Sequence, residues 1–188
     1  MTTKDELVRT PDGHDLFCYQ WLPDAGTVLK GSVLVLHGMA DHAARFFRLG
    51  SALCAAGYAV YAHDQRGHGR TAGSTNKIGI IADSDGLDVL VEDAHLIVKK
   101  LKSDFPGLPV FLFAHSMGSF VAQGYAQKYG NGIAGMVLSG SNGSIGIMAD
   151  LARIIAKGEV RKHGRDERSE KLNALSFGSF NNAFKPNR

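Results

Sequence analysis

The 188-residue chain, 44% of it hydrophobic, is long enough to bury a substantial core and fits one domain rather than two. Its 21 basic and 18 acidic residues leave a formal net charge of +3 and are interleaved, which offers no extended patch to nucleic acid or to an anionic lipid face. No stretch reaches the length of a membrane span, no signal or transit pattern opens the sequence, and Cys18 and Cys54 lack metal-type spacing, so a soluble cytoplasmic protein with reduced, packed thiols is expected.

Strand-like runs at residues 7–10 and 16–22 flank Pro11-Asp12-Gly13, whose fixed φ, turn-forming carboxylate and permissive glycine suit a hairpin. Residues 32–36, Ser-Val-Leu-Val-Leu, are nearly all apolar, as in a parallel strand buried on both faces, and the run stops at His37-Gly38. Phe46, Leu49, Leu53 and Ala56 follow at helical spacing until Gly57, and residues 58–62 form the next buried strand. A long amphipathic helix is predicted over 85–104, carrying Leu87, Leu90, Val91, Ala94, Ile97, Val98 and Leu101, with Pro106-Gly107 closing it. A strand at 110–114, a helix at 117–129 and a strand at 133–138 complete the pattern. Strands alternating with helices after a hairpin predict a mainly parallel sheet covered on both faces. Residues 144–160 carry Ile145, Met148, Leu151, Ile154 and Ile155 at amphipathic spacing, and the charges of 161–171 alternate in sign as on a solvated face.

Reactive groups of such a sheet belong in the loops beyond the carboxyl ends of its strands, and three polar motifs fall there. In the segment 110–120, Ala114-His115-Ser116-Met117-Gly118 has the small-x-Ser-x-Gly form of a nucleophile elbow, in a strand-to-helix context. A tight turn would lift the Ser116 hydroxyl out of the sheet, and the small residues Ala114 and Gly118 would let strand and helix approach. The bland reading is a serine that only caps a helix. His37-Gly38 after a buried strand has the form of an oxyanion loop, with the N–H groups of Met39 and Met117 as the two donors. His37 itself reads as a buried histidine bonded to the loop backbone rather than as a catalytic base. Asp64-Gln65-Arg66-Gly67-His68-Gly69-Arg70-Thr71 reads as a compact scaffold loop in which Asp64 and Arg66 are available to pair. His68 has no cluster of further ligands for a metal, and Gly67-x-Gly69 lacks the rest of a nucleotide fingerprint, so neither a metal nor another cofactor is expected.

In this order and spacing, the segments 37–42, 64–71 and 114–119 resemble the α/β-hydrolase superfamily, and within it the monoacylglycerol lipase and lysophospholipase group, also grouped with serine aminopeptidase-like hydrolases. The resemblance runs from about Leu7 onward. It implies an α/β-hydrolase fold, incomplete on the C-terminal side, with residues 1–142 as the N-terminal part of the core and 143–188 as the start of a cap. Segment 175–187 resembles part of that group's cap. It implies a cofactor-free serine ester hydrolase with Ser116 as nucleophile, a monoacylglycerol or lysophospholipid substrate, and transient contact of the cap with a membrane surface. Peptidase, thioesterase and perhydrolase chemistry use the same constellation, and a noncatalytic acyl-binding protein would keep the same cleft.

In this superfamily the nucleophile is followed along the chain by an acid and then a histidine. The histidine that follows Ser116, His163, lies in a charged stretch, and Asp150 and Asp166 fall in the expected cap rather than at strand ends. The triad acid and histidine are therefore expected to be absent from these residues, leaving the chain alone inactive or nearly so.

Overall fold

The computed structural model describes residues 1–143, 147–164 and 167–178. They fall into two compact units, Met1–Ser141 and Asn142–Arg188.

The first unit is built on a six-stranded sheet. The chain runs through β1 (Thr2–Arg9), β2 (Asp15–Leu22), β3 (Gly31–Leu36), a 3-10 turn (Ala43–Phe46), α1 (Phe47–Ala55) and β4 (Tyr58–His63). It continues through α2 (Gly86–Asp104), β5 (Val110–His115), α3 (Met117–Tyr129) and β6 (Gly135–Ser139). The spatial order is β1-β2-β4-β3-β5-β6. Pairing is antiparallel for β1 with β2 and for β2 with β4, and parallel elsewhere. This is the mainly parallel sheet with an antiparallel hairpin that the sequence pattern predicts.

β1 is longer than the predicted run at 7–10. Thr2 to Glu6 show no apolar alternation because the strand lies at the sheet edge with most side chains in solvent, yet every residue pairs with β2. β6 begins two residues later than predicted and is the other outermost strand.

β3 shows why its sequence is nearly all apolar. Val33 and Val35 face a cluster with Trp21, Ala43, Cys54, Val60 and Ala62 on the α1 side. Leu34 and Leu36 face the larger cluster of α2 and α3, with Ile97, Leu101, Leu112 and Val121. Both faces are buried, so no position is left for a polar residue except Ser32. Glycine fixes how closely the helices approach: a β-carbon on Gly50 of α1 would overlap the Trp21 ring.

The second unit contains α4 (Ile147–His163) and α5 (Glu170–Phe177). Ser169 caps α5 by accepting the Leu172 N–H, and Ile154 and Leu175 are 67% and 63% exposed. Residues 144–146 of the helix expected at 144–160, most of the cap-like segment 175–187, and Asp166 lie outside the described residues. No described helix is long and apolar enough to cross a membrane.

Candidate active site

Three parallel strands that are neighbours in the sheet, β4, β3 and β5, deliver the three motifs to one edge. Ser116 stands between β5 and α3 at φ 50° and ψ −117°, a conformation that costs an L-residue energy and persists only where the surroundings enforce it. Here they do. The Ser116 N–H donates to Ser139 O of β6 at 2.9 Å, while Ser116 O accepts from the N–H of Ser119 at 2.8 Å and from its hydroxyl at 2.6 Å. Gly118 lets α3 descend onto β3, since a β-carbon there would lie 2.7 Å from His37 O and closer still to Leu36 O. The Ser116 side chain is partly exposed and its hydroxyl has no hydrogen-bond partner among the described residues.

The loop after β3 meets this turn. A β-carbon on Gly38 would sit 3.2 Å from Ser116 Cβ and 3.4 Å from Cδ2 of His115, so only glycine fits without displacement. Met39 follows, half exposed, and Ala40 takes a positive φ of 54°. Met117 is the first residue of α3, where backbone N–H groups have no intrahelical acceptor and the helix dipole favours negative charge. Neither the Met39 nor the Met117 N–H donates a hydrogen bond among the described residues. The three residues singled out by sequence thus lie on two connections that touch at Gly38 and Ser116: Met39 in the loop after β3, and Ser116 and Met117 at the turn into α3.

Supporting contacts were less legible. The His115 ring lies between Gly38 and Gly140, and its Nδ1 is 3.2 Å from Ser139 Oγ. Beside it a cavity of about 240 Å³ is lined by Asp41, Arg45, Phe46, Phe113, His115 and Ser139. His37 is fully buried, with its ring nitrogens bonded to Gly38 O at 2.7 Å and to the Gln65 N–H at 2.9 Å. His68 packs edge-on against it and bonds Arg66 O at 2.9 Å. Burial pulls His37 and His63 down to about 4, so both rings are neutral at neutral pH.

The expected pairing of Asp64 with Arg66 does not form. Asp64 is fully buried and its carboxylate is taken by the Ala43 N–H and the Arg70 N–H, both at 2.7 Å, which tie the loop after β4 to the entrance of α1. Arg66 turns instead to two carboxylates distant in sequence. It donates to Asp93 of α2 at 2.7 and 2.9 Å and to Asp12 of the hairpin turn at 2.6 and 2.9 Å. The guanidinium holds Asp12 well below the usual carboxyl range, while burial pushes Asp93 up against the same pull. No motif spacing signals such a clamp.

Among the described residues no group of three His, Cys, Asp or Glu side chains can hold a metal ion. His163 lies 4.0 Å from Glu159 within α4. The side chain of Asp150 lies outside what is described.

A mainly parallel sheet whose middle strands present a strained serine against a glycine loop defines an α/β-hydrolase. A family model described as serine aminopeptidase, S33, matches residues 27–170. Human monoglyceride lipase is 39% identical over 127 residues, which are 68% of this chain and 39% of that protein. Monoacylglycerol lipase of Mycolicibacterium smegmatis is 33% identical over 142 residues, 73% of this chain and 48% of the relative. Among solved structures, a thermostable carboxyl esterase from Bacillus coagulans in complex with glycerol superposes with a TM-score of 0.83 at 27% identity, covering 100% of this chain and 60% of that one. The chain belongs to the serine aminopeptidase S33 family of α/β-hydrolases. It spans less than half the length of each of these two lipases.

Proposed function

We propose that this chain carries the nucleophile half of a serine ester hydrolase that cleaves monoacylglycerols or lysophospholipids. The observation that carries the reading is the strained, partly exposed Ser116 held against a loop whose Met39 N–H, like that of Met117, has no other acceptor. Ser116 Oγ attacks the ester carbonyl carbon, and the carbonyl oxygen gains negative charge between the two N–H groups. Collapse of the tetrahedral intermediate breaks the acyl C–O bond; the protonated base gives the Ser116 proton to the departing oxygen, so that glycerol leaves from a monoacylglycerol or a glycerophosphodiester from a lysophospholipid, and the acyl group stays on Ser116. Water then reverses the sequence and frees the fatty acid.

The base that takes the Ser116 proton is not supplied by the neighbouring histidines. His37 and His63 are buried, and His115 engages Ser139. The reading assigns that step, and the acid behind it, to a histidine and a carboxylate outside these 188 residues, in line with the greater length of the lipase relatives. It assigns residues 143–188 to the start of a cap, on the amphipathic α4 and the exposed Ile154 and Leu175, and expects this cap to touch lipid surfaces transiently. The lipid ester class is favoured over peptides because the named relatives are lipases.

Labelling with a fluorophosphonate, together with hydrolysis of a monoacylglycerol series, tests the reading. The full-length protein is expected to be modified at Ser116 and to lose hydrolysis in Ser116→Ala. Residues 1–188 alone should react at least about 10³-fold more slowly, having donors but no base. A well-folded full-length protein that neither labels nor hydrolyses supports a noncatalytic acyl-binding role instead.

A further inference from the structure

The Gly38–Met39 peptide has two polar ends, the Gly38 C=O and the Met39 N–H. The chain contains no cis peptide among its described residues, so the Gly38 C=O and the Met39 N–H point in opposite directions, and fixing one aims the other. Such a peptide is easily flipped next to glycine, because Gly38 has no β-carbon to resist rotation about its ψ. A flipped peptide would turn a carbonyl oxygen toward the position where the oxyanion forms.

The structure contains a restraint against that flip. The Gln65 N–H donates to His37 Nε2 at 2.9 Å. A ring nitrogen that accepts carries no proton, so the proton of the neutral imidazole sits on Nδ1. That Nδ1–H donates to Gly38 O at 2.7 Å. The Gln65 side-chain amide donates to His37 O at 2.7 Å, so the loop after β4 grips His37 at ring and backbone. Burial keeps the ring neutral, with His63, His68 and Asp64 as the other titratable groups around it.

We infer that His37 is the positioning residue of the oxyanion donor. The Gln65 N–H selects its Nδ1–H tautomer, and that Nδ1–H holds the Gly38–Met39 peptide so that the Met39 N–H stays aimed at the reacting carbonyl. The inference rests on the hydrolase reading of Ser116 and adds to it a chain of hydrogen bonds that runs from the β4 loop through the His37 ring to Gly38 O.

The test exploits amide mimics of the two ring nitrogens in the full-length protein. His37→Asn places an amide donor near the Nδ1 position, whereas His37→Gln places its amide near Nε2 and leaves Gly38 O without a donor. Ser116 acylation by a fluorophosphonate, kcat and KM on a monoacylglycerol, binding of a trifluoromethyl ketone and Tm are measured for both. His37→Asn is expected to keep kcat within about tenfold of the parent. His37→Gln is expected to lose about 10²- to 10³-fold in kcat and in ketone affinity, with KM little changed. Losses that are equal in the two variants, or that simply follow Tm, overturn the inference. Long-range ¹H–¹⁵N correlation on the unsubstituted protein gives an independent readout that needs no variant: His37 should appear as the Nδ1–H tautomer, and an Nε2–H signature overturns it. If the unsubstituted protein is not acylated at Ser116, the hydrolase reading fails and takes this role with it; an active parent with equal variants removes only the role of His37.

Discussion

At the scale of single residues, Ser116 holds a conformation that glycine adopts freely and alanine does not. The role proposed for it and its backbone preference therefore pull in opposite directions. Ser116→Gly should be more stable than Ser116→Ala by about 1 kcal/mol, read from urea midpoints, because both lack the hydroxyl and only one relieves the strain. Equal stabilities would mean that the turn carries no strain. His37 and His63 add a pH dependence whose sign follows from burial. Their folded values of about 4 lie below the ordinary 6.5, so between those values the unfolded chain binds more protons than the folded one. Stability contributed by the neutral rings is complete above pH 6.5 and is lost as pH falls toward 4. By pH 5 each should have given up on the order of 2 kcal/mol. Urea titrations at pH 7 and pH 5 measure this, and coincident midpoints would contradict it.

Among the elements, the loop after β4 connects more of the structure than its sequence announces. Arg66 joins the hairpin turn through Asp12, 54 residues away, to α2 through Asp93, 27 residues away. The two carboxylates are not equivalent. Asp93 is almost completely buried, whereas the Asp12 side chain is 58% exposed. Arg66→Ala, which strands Asp93 without a partner, should cost about 3–5 kcal/mol. Asp12→Ala should cost under about 1 kcal/mol, since water takes over much of what it lost. Thermal unfolding of the two variants separates these outcomes, and similar losses would show that Asp93 does not depend on Arg66. The same contrast explains what was readable in advance. The apolar run of β3, the stripe of α2 and the small-x-Ser-x-Gly turn are local patterns, each set by one strand face, one helix face or one turn. The clamp at Arg66, the seating of the His115 ring and the tie from Gln65 to His37 depend on which strands become neighbours. No periodicity carries that information. Asp64 and Arg66 are close in sequence and so suggest a pair; the backbone donors that capture Asp64 leave no mark in the side-chain pattern.

In the unit Met1–Ser141 as a whole, the two outermost strands differ. β1 presents Lys4, Asp5, Glu6 and Arg9 along its length, charges that discourage pairing with another chain. β6 presents Met136 and Val137, 40% and 59% exposed, with no strand on its far side among the described residues. The 188-residue chain should accordingly self-associate with rising concentration, and Val137→Lys should weaken that association in sedimentation velocity. Identical profiles for the two proteins would clear β6 of responsibility.

The position of β3 between β4 and β5 also dictates an order of events when this unit folds. β3 can pair with β4 once residue 63 has been made, but its other edge waits for Val110–His115, and the Ser116 N–H waits longer still for Ser139. Parallel pairings across such sequence separations form slowly, because the intervening chain must be closed before the contacts are gained. As the chain is synthesised, the strained turn therefore cannot be set before residue 139 has been added. Until then residue 116 is an ordinary serine on a relaxed chain, without the Gly38 loop held against it.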